Sequence, residues 1–303
     1  MNRARERASI PPMAVRVTVE PITDKEFALF QALIHRVAGI HLAPVKRDLL
    51  MNRLSPRMRE LGIATFGEYY ERVAGRRGEA DVSAAEDESE RVVMLDRIST
   101  NETHFFREPR HFEHLDDIVY PAWIADAEAG RRQRRVRVWS AACSTGEEPY
   151  SIAMSLLATF PPSWSLSILA TDLSTRVLAK AEAAVFPEER ATHIPPAHLK
   201  AFMLRGTGSQ EGKVKVAPEA RALVEFRRFN LNEGPYPFRG AFDLLFCRNV
   251  LIYFDVEGRR RVIEQLASCL APGGLLFLGH AETASGATRC LAPVVPTVYR
   301  LVE

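Results

Sequence analysis

The stretch Val136-Arg137-Val138-Trp139-Ser140-Ala141-Ala142-Cys143-Ser144-Thr145-Gly146-Glu147-Glu148-Pro149 decides the fold. Val136 to Trp139 reads as a strand, and Pro149 to Leu157 reads as a helix. Between them lies a turn crowded with small residues, where a ligand can approach backbone. Strand and helix then alternate downstream. Ser165 to Ala170, Ala222 to Phe229, Phe242 to Phe246 and Leu275 to Leu278 read as strands, and Val177 to Ala184 and Arg259 to Leu270 as helices. This alternation predicts an α/β fold with a doubly wound, mostly parallel sheet. The rhythm breaks between Phe186 and Ala222. Gly206-Thr207-Gly208, Gly212 and the alternating Lys213-Val214-Lys215-Val216 predict a small antiparallel β insertion at about 187–221.

Upstream of the sheet the pattern is helical. Phe27, Phe30, Leu33, Ile34 and Val37 recur at three- and four-residue spacing, Gly39 can stop this helix, and Pro44 can open the next. On the second helix Leu50, Leu54, Met58 and Leu61 form one stripe, while Lys46, Arg53 and Arg57 share an adjacent face. Ser55-Pro56 is expected to kink or split this segment. A third short helix, around Phe66 to Val73, closes a small bundle. Six acidic residues and no basic ones fall between Glu79 and Glu90, which reads as a solvated linker. A helical pattern resumes at Val92 and is expected to run past Phe105-Phe106 to Trp123. The basic run 131–135 then reads as a solvated loop. The expected organisation is an N-terminal arm over 1–20, a helical domain over 21–78, an acidic linker over 79–91 and the sheet domain over 92–303.

Composition narrows the function. In 303 residues, 47% hydrophobic and 26% charged residues suffice for a sizeable core and exclude extended disorder. A formal net charge of +2 gives no whole-chain field to recruit nucleic acid. Four cysteines without a C-x-x-C pair argue against a disulfide framework and a zinc site, and no metal is expected. No run reaches the roughly 18 apolar residues of a membrane span, and no long apolar stretch follows Arg3, Arg5 and Arg7. A cytoplasmic location and no membrane insertion are expected.

Ligands of an open α/β sheet bind at the carboxyl ends of its strands. Glu147 stands where the first strand turns into its helix. An acid there repels phosphate but accepts hydrogen bonds from a cationic amine; taken alone it is equally a helix start favoured by the dipole. Asp172 ends the second strand, 26 residues after Gly146, a placement suited to ribose hydroxyls and equally to an N-cap. The missing G-x-G-x-x-G argues against a dinucleotide. Polar residues 99–104 precede an aromatic pair, Asn230 closes a strand, and Arg248, Asn249 and Tyr253 follow another.

The runs T-N-E-T-H-F-F-R-E (100–108), S-T-G-E-E-P-Y-S-I-A (144–153), A-T-D (170–172), R-G-T-G (205–208), F-C-R-N-V-L-I-Y-F (246–254) and A-P-G-G (271–274) resemble the CheR-type chemotaxis receptor methyltransferases, in order, across roughly 22–285. The resemblance implies a class I methyltransferase-like domain that uses S-adenosylmethionine and releases S-adenosylhomocysteine. The methyl acceptors would be glutamate side chains on the cytoplasmic helical bundle of chemoreceptors, giving methyl esters that set receptor adaptation. Carried over by motif, Asn101, Thr103, Arg107, Glu147, Asp172, Asn230, Leu231, Arg248 and Asn249 would contact the cofactor. Arg107 and Tyr253 would lie nearest the reacting methyl. Lys46, Arg53 and Arg57 would face the receptor. The insertion, with Gly206 and Gly208, would be the β-subdomain that in some members binds a peptide tether at the receptor C-terminus.

Elementary chemistry agrees. A glutamate side chain in water has a pKa of about 4.3, so at neutral pH its carboxylate is already the nucleophile. No general base is required, so catalysis rests on positioning two reactants. A methyltransferase acting on RNA or a small molecule would use the same sheet. Single-stranded RNA readers expose stacking aromatics, however, and the basic face has none nearby. A non-catalytic adaptor is disfavoured by intact Arg107, Glu147, Asp172, Asn249 and Tyr253.

Overall fold

The computed structural model describes residues 17–75, 82–238, 240 and 242–302. Most of the expected N-terminal arm, and 79–81 of the acidic stretch, lie outside the described residues. The chain divides into two units, Met1–Phe30 with Ala43–Met94, and Gln31–Leu42 with Leu95–Glu303.

The first unit is helical. It takes the first half of α1 (Asp24–Ala38), then α2 (Arg47–Leu61), α3 (Phe66–Ala74) and most of α4 (Val82–Ile98). Phe27, Phe30, Leu50, Leu54, Met58, Phe66, Tyr69 and Val73 are buried, and Phe30 packs edge-on to Phe66 and Tyr70 and stacks on Tyr69. Thr65 and Glu68 form a reciprocal capping box at the start of α3. Two sequence expectations change here. α2 runs unbroken through Pro56. A proline in a helix removes one backbone hydrogen bond, and burial of Leu50, Leu54 and Met58 on one face offsets that loss. The acidic stretch from 82 onward is the start of α4, not a linker. Glu90 explains why: it is buried, accepts from Arg57 Nε and Nη2 at 3.0 and 2.7 Å, and takes the Tyr69 hydroxyl at 2.9 Å.

The second unit holds the sheet. The helical approach expected from Val92 to Trp123 is interrupted at 99–108, where Phe106 and Glu108 adopt left-handed φ of 49° and 58°. Pro109 then opens α5 (Pro109–His114), which passes through a π-helical turn (Leu115–Val119) into α6 (Tyr120–Glu128). The basic run is not simply solvated: Arg132 pairs with Asp243 at 2.6 Å and lies over the Trp123 ring.

The sheet strands and their helices follow: β1 (Arg135–Ala141), α7 (Glu147–Thr159), β2 (Ser165–Asp172) and α8 (Thr175–Ala183). The insertion comes next, with β3 (Val185–Pro187), a 3-10 segment (Glu188–His193), α9 (Pro196–Phe202), β4 (Met203–Arg205), β5 (Lys213–Val216) and α10 (Pro218–Ala222). The chain finishes with β6 (Val224–Arg228), β7 (Phe242–Cys247), α11 (Val256–Cys269), β8 (Leu270–Leu278), β9 (Leu291–Val295) and β10 (Val298–Leu301).

The seven-stranded order is β6-β2-β1-β7-β8-β10-β9, with β6 to β8 parallel and β10 antiparallel to both its neighbours. The chain leaves β1 toward β2 on one side and resumes at β7 on the other. The carboxyl ends of β1 and β7 therefore flank the switch point. Side chains alternate between two cores: Val138, Leu244, Phe246 and Phe277 on one face, Trp139, Leu245, Cys247 and Leu276 on the other. The insertion forms its own antiparallel sheet, ordered β3-β5-β4. The β9–β10 hairpin is not foreseen in the sequence, because its short strands carry no helix-alternation signal.

Candidate active site

Three left-handed residues shape the turn after β1: Ala142, Ser144 and Gly146, with φ of 64°, 51° and 98°. At Gly146 a Cβ would stand 2.9 Å from that of Ala181, so α8 can approach only a glycine. Strained turns of this kind persist where surrounding contacts over-determine them. Asp172 supplies two such contacts. Its Oδ2 accepts the Ser144 N–H and its Oδ1 the Ser174 N–H, both at 2.9 Å. Burial pushes its carboxyl above the ordinary range, against the pull of these two N–H groups. Each oxygen keeps a second lone pair for a ligand hydroxyl.

Glu147 opens α7 and is 1% exposed. Its Oε2 accepts the Thr145 hydroxyl at 2.6 Å, and its Oε1 lies 3.3 Å from Arg190 Nη1. Burial pushes this carboxyl up, and the Thr145 hydrogen bond opposes it. The adjacent Glu148 points to a different partner set. It accepts the Ser140 hydroxyl at 2.6 Å and Arg248 Nε at 2.7 Å.

The loop 99–108 is bonded onto this turn. Ser144 Oγ donates to the Asn101 carbonyl at 3.0 Å, Arg190 Nη1 to the Thr103 carbonyl at 2.9 Å, and the Phe106 N–H to Ser151 Oγ at 2.9 Å. Arg107 Nη1 donates to the Glu102 carbonyl at 3.1 Å, and the Arg107 carbonyl accepts from Arg248 Nη1. Glu108 accepts the His280 N–H at 3.0 Å and lies 3.8 Å from Arg248. His111 packs against the same group; burial, and then the Arg248 charge, hold its imidazole well below the usual range and therefore neutral.

Beyond β7, Asn249 has a φ of 61°. One buried carboxylate, Glu282, holds this segment. Its Oε2 accepts from Asn249 N at 2.8 Å and Gly279 N at 2.7 Å, and its Oε1 from Leu251 N at 2.7 Å and Ile252 N at 3.3 Å. Gly279 must be glycine, since a Cβ would meet Asn249 Nδ2 at 2.5 Å. Half-buried Tyr253 follows, its carbonyl taking the His41 N–H at 2.7 Å. Asn230 bonds a distant carbonyl and its own turn: Nδ2 donates to Val37 O at 2.7 Å and Glu233 Oε1 at 2.9 Å, while Oδ1 accepts Asn232 N. Leu231 is buried beside it.

The structure thus links Asn101 to Asp172 through Ser144, Thr103 to Glu147 through Arg190, and Arg107 to Arg248 directly, all within one unit. Asn249 and Tyr253 stand on the neighbouring strand end, and Asn230 and Leu231 follow β6. The Arg248 side chain is 2% exposed; its Nε pairs with Glu148, and its Nη1 donates to the Arg107 carbonyl and lies 3.8 Å from Glu108. Gly206 and Gly208 lie in the β4–β5 loop of the insertion, and Lys46, Arg53 and Arg57 belong to the other unit. Sequence reasoning missed Glu108, Glu148, Arg190 and Glu282. The doubled acid at 147–148 is the one signal among them.

These residues fit S-adenosylmethionine. Asp172 retains acceptor capacity at the end of β2, Glu147 offers a buried carboxylate to an amine, and Asn249 Oδ1 is a buried acceptor without a hydrogen-bond partner. Such an orphan acceptor marks a place for a ligand donor. A switch-point crevice flanked by acids at two successive strand ends defines the class: an S-adenosylmethionine-dependent α/β methyltransferase. Residues 101–299 match the SAM binding domain of CheR methyltransferase, and 25–84 match its all-alpha domain. The chain belongs to the CheR methyltransferase family. Chemotaxis protein methyltransferase 2 of Pseudomonas aeruginosa is 39% identical over 280 residues, covering 91% of this chain and 93% of that protein. The chemotaxis protein methyltransferase of Escherichia coli is 39% identical over 283 residues, 92% of each. That of Klebsiella aerogenes is 39% identical over 302 residues, 99% of this chain and 97% of its own.

Proposed function

We propose that this chain esterifies glutamate side chains on the cytoplasmic helices of chemoreceptors, and that the residues linked above hold the methyl donor. The observation that carries this reading is the match of the all-alpha domain and the SAM binding domain in one chain, beside 39% identity to chemotaxis protein methyltransferases over most of its length. Among the described residues no helix is long and apolar enough to cross a membrane. A cytoplasmic location follows from the substrate surface.

Bound S-adenosylmethionine supplies a methyl group on a sulfonium, an electrophile that needs no further activation. Asp172 holds the ribose hydroxyls and Glu147 the cationic amine. Arg107 pairs with the cofactor's own carboxylate, because a tight pair with the substrate carboxylate would blunt the nucleophile. Transfer joins an anion to a cation and cancels both charges, so apolar walls favour it. Phe106, Ile252 and Phe254 would supply them, Phe105 being withdrawn into the core, and Tyr253 would stand nearest the reacting methyl.

The receptor helix meets the basic face of α2. Lys46 joins that face from the 3-10 turn just ahead of α2, not from the helix itself, and is exposed; Arg53 and Arg57 stand on α2, where Arg57 already serves Glu90 and Glu60. A receptor tether would add as a strand to β4, an edge of the small sheet, where Leu204 is 50% exposed.

Incubation with methyl-labelled cofactor and receptor is expected to give protein label that mild alkali releases as methanol. Glu→Gln at the acceptor sites is expected to abolish it. Label that survives alkali, or appears on RNA, overturns the reading. Asp172→Ala is expected to weaken S-adenosylhomocysteine binding about tenfold or more, since hydrogen bonds to charged groups contribute roughly 1.5–3 kcal/mol. Titration calorimetry on the folded variant measures it, and unchanged affinity removes Asp172 from the site.

A further inference from the structure

The insertion packs against the site loop residue by residue. Arg190 Nη1 bonds the Thr103 carbonyl, the His193 ring lies 4.7 Å from that of His104, Phe186 lies 4.9 Å from Phe105, and His198 lies 5.2 Å from Phe106. Four consecutive residues of the loop thus rest on one subdomain. Arg190 goes further, because the same nitrogen reaches Glu147 Oε1 at 3.3 Å. Its two N–H bonds tie the loop and the first turn of α7 to a third element, the 3-10 segment Glu188–His193.

Both acceptors need this donor. The Thr103 carbonyl sits in irregular backbone, where no ladder supplies a partner. Glu147 is buried, and an ionised buried carboxylate is stable only when paired. Arg190 is itself 48% exposed, so it contributes little to the core. Its position makes sense as a support of the two groups that the cofactor would touch.

We infer that Arg190 is a positioning residue of the cofactor site, acting through Glu147 and Thr103, so that the insertion contributes a side chain to methyl-donor binding as well as a surface. Arg190 fixes Glu147 Oε1 and the Thr103 carbonyl from one nitrogen, so that loss of the guanidinium frees both. This inference rests on the reading of Glu147 as the amine acceptor.

Titration calorimetry of the full chain with S-adenosylhomocysteine tests it. Arg190→Ala and Arg190→Met are expected to weaken binding about tenfold, since each removes a charged hydrogen bond that orders the site. Arg190→Lys restores most of the affinity, because an ammonium still serves Glu147. The alanine and methionine variants melt below the parent because buried Glu147 loses its partner, the lysine variant melts near it, and in the alanine and methionine variants the KM for receptor is unchanged while the KM for the donor rises. A merely structural role would not produce rescue by lysine with that split. Affinity of the alanine variant within twofold of the parent, or tighter, overturns the role of Arg190. Failure of the parent chain to bind S-adenosylhomocysteine at all would instead remove the reading of Glu147.

Discussion

Glu148→Ala is expected to destabilise the sheet domain by about 3 kcal/mol or more, the cost of leaving a buried charge without its partner. Glu148 is the first anchor of Arg248, at 2.7 Å, and both side chains are almost fully withdrawn from solvent. Glu108, 3.8 Å away, compensates only in part. The loss extends to the reaction. Arg248 donates to the Arg107 carbonyl, so a displaced guanidinium releases the loop that carries Arg107. Arg248→Met combined with Glu148→Leu is expected to recover most of the stability but not the activity, since an apolar pair replaces the charges yet cannot bond that carbonyl. Urea denaturation and initial-rate assays separate the two effects. A Glu148→Ala variant within about 1 kcal/mol of the parent would mean that water reaches Arg248.

The second large effect is expected at Glu282. Four backbone N–H groups converge on its carboxylate, from Asn249, Leu251, Ile252 and Gly279. They set the strand end where Asn249 and Tyr253 stand. Glu282→Gln keeps the volume but turns an NH2 toward donors, so one side of the cradle becomes repulsive. A displacement near 1 Å at a reacting centre costs about 100-fold in rate, and a loss of that order in kcat is expected for Gln and Ala alike. A kcat about 100-fold lower with retained secondary structure, read by rate assay and circular dichroism, is the expected pair of results. A glutamine variant with parental kcat would show that shape, not charge, holds the segment.

Much of this site is legible in the sequence because its signals are local. Strand ends and spacing point to the acid pair Glu147 and Asp172, and both stand at the expected turns. Gly206-Thr207-Gly208 and the Lys213–Val216 alternation point to the insertion, which forms the separate antiparallel sheet. Where local rules mislead, long-range contact overrides them. Pro56 and the acids after 82 both signal a break, yet burial of one face of α2 and the Glu90–Arg57 pair keep the helices continuous. The helix expected across Phe105-Phe106 gives way instead to a loop whose hydrogen bonds come from Ser144, Ser151 and Arg190.

By itself, then, the amino-acid order determined the strand–turn–helix grammar and the acids at two strand ends, because periodicity and turn chemistry act over a few residues, whereas the strand order that makes β1 and β7 the switch point came from the tertiary structure. Only the tertiary structure decided which distant groups each polar side chain bonds. Arg248 bonds Glu148, 100 positions away, Asn230 the Val37 carbonyl, 193 positions away, and Arg57 Glu90, 33 positions away. Such pairs form because folding brings distant segments together and must neutralise every charge it buries. No window along the chain carries that information.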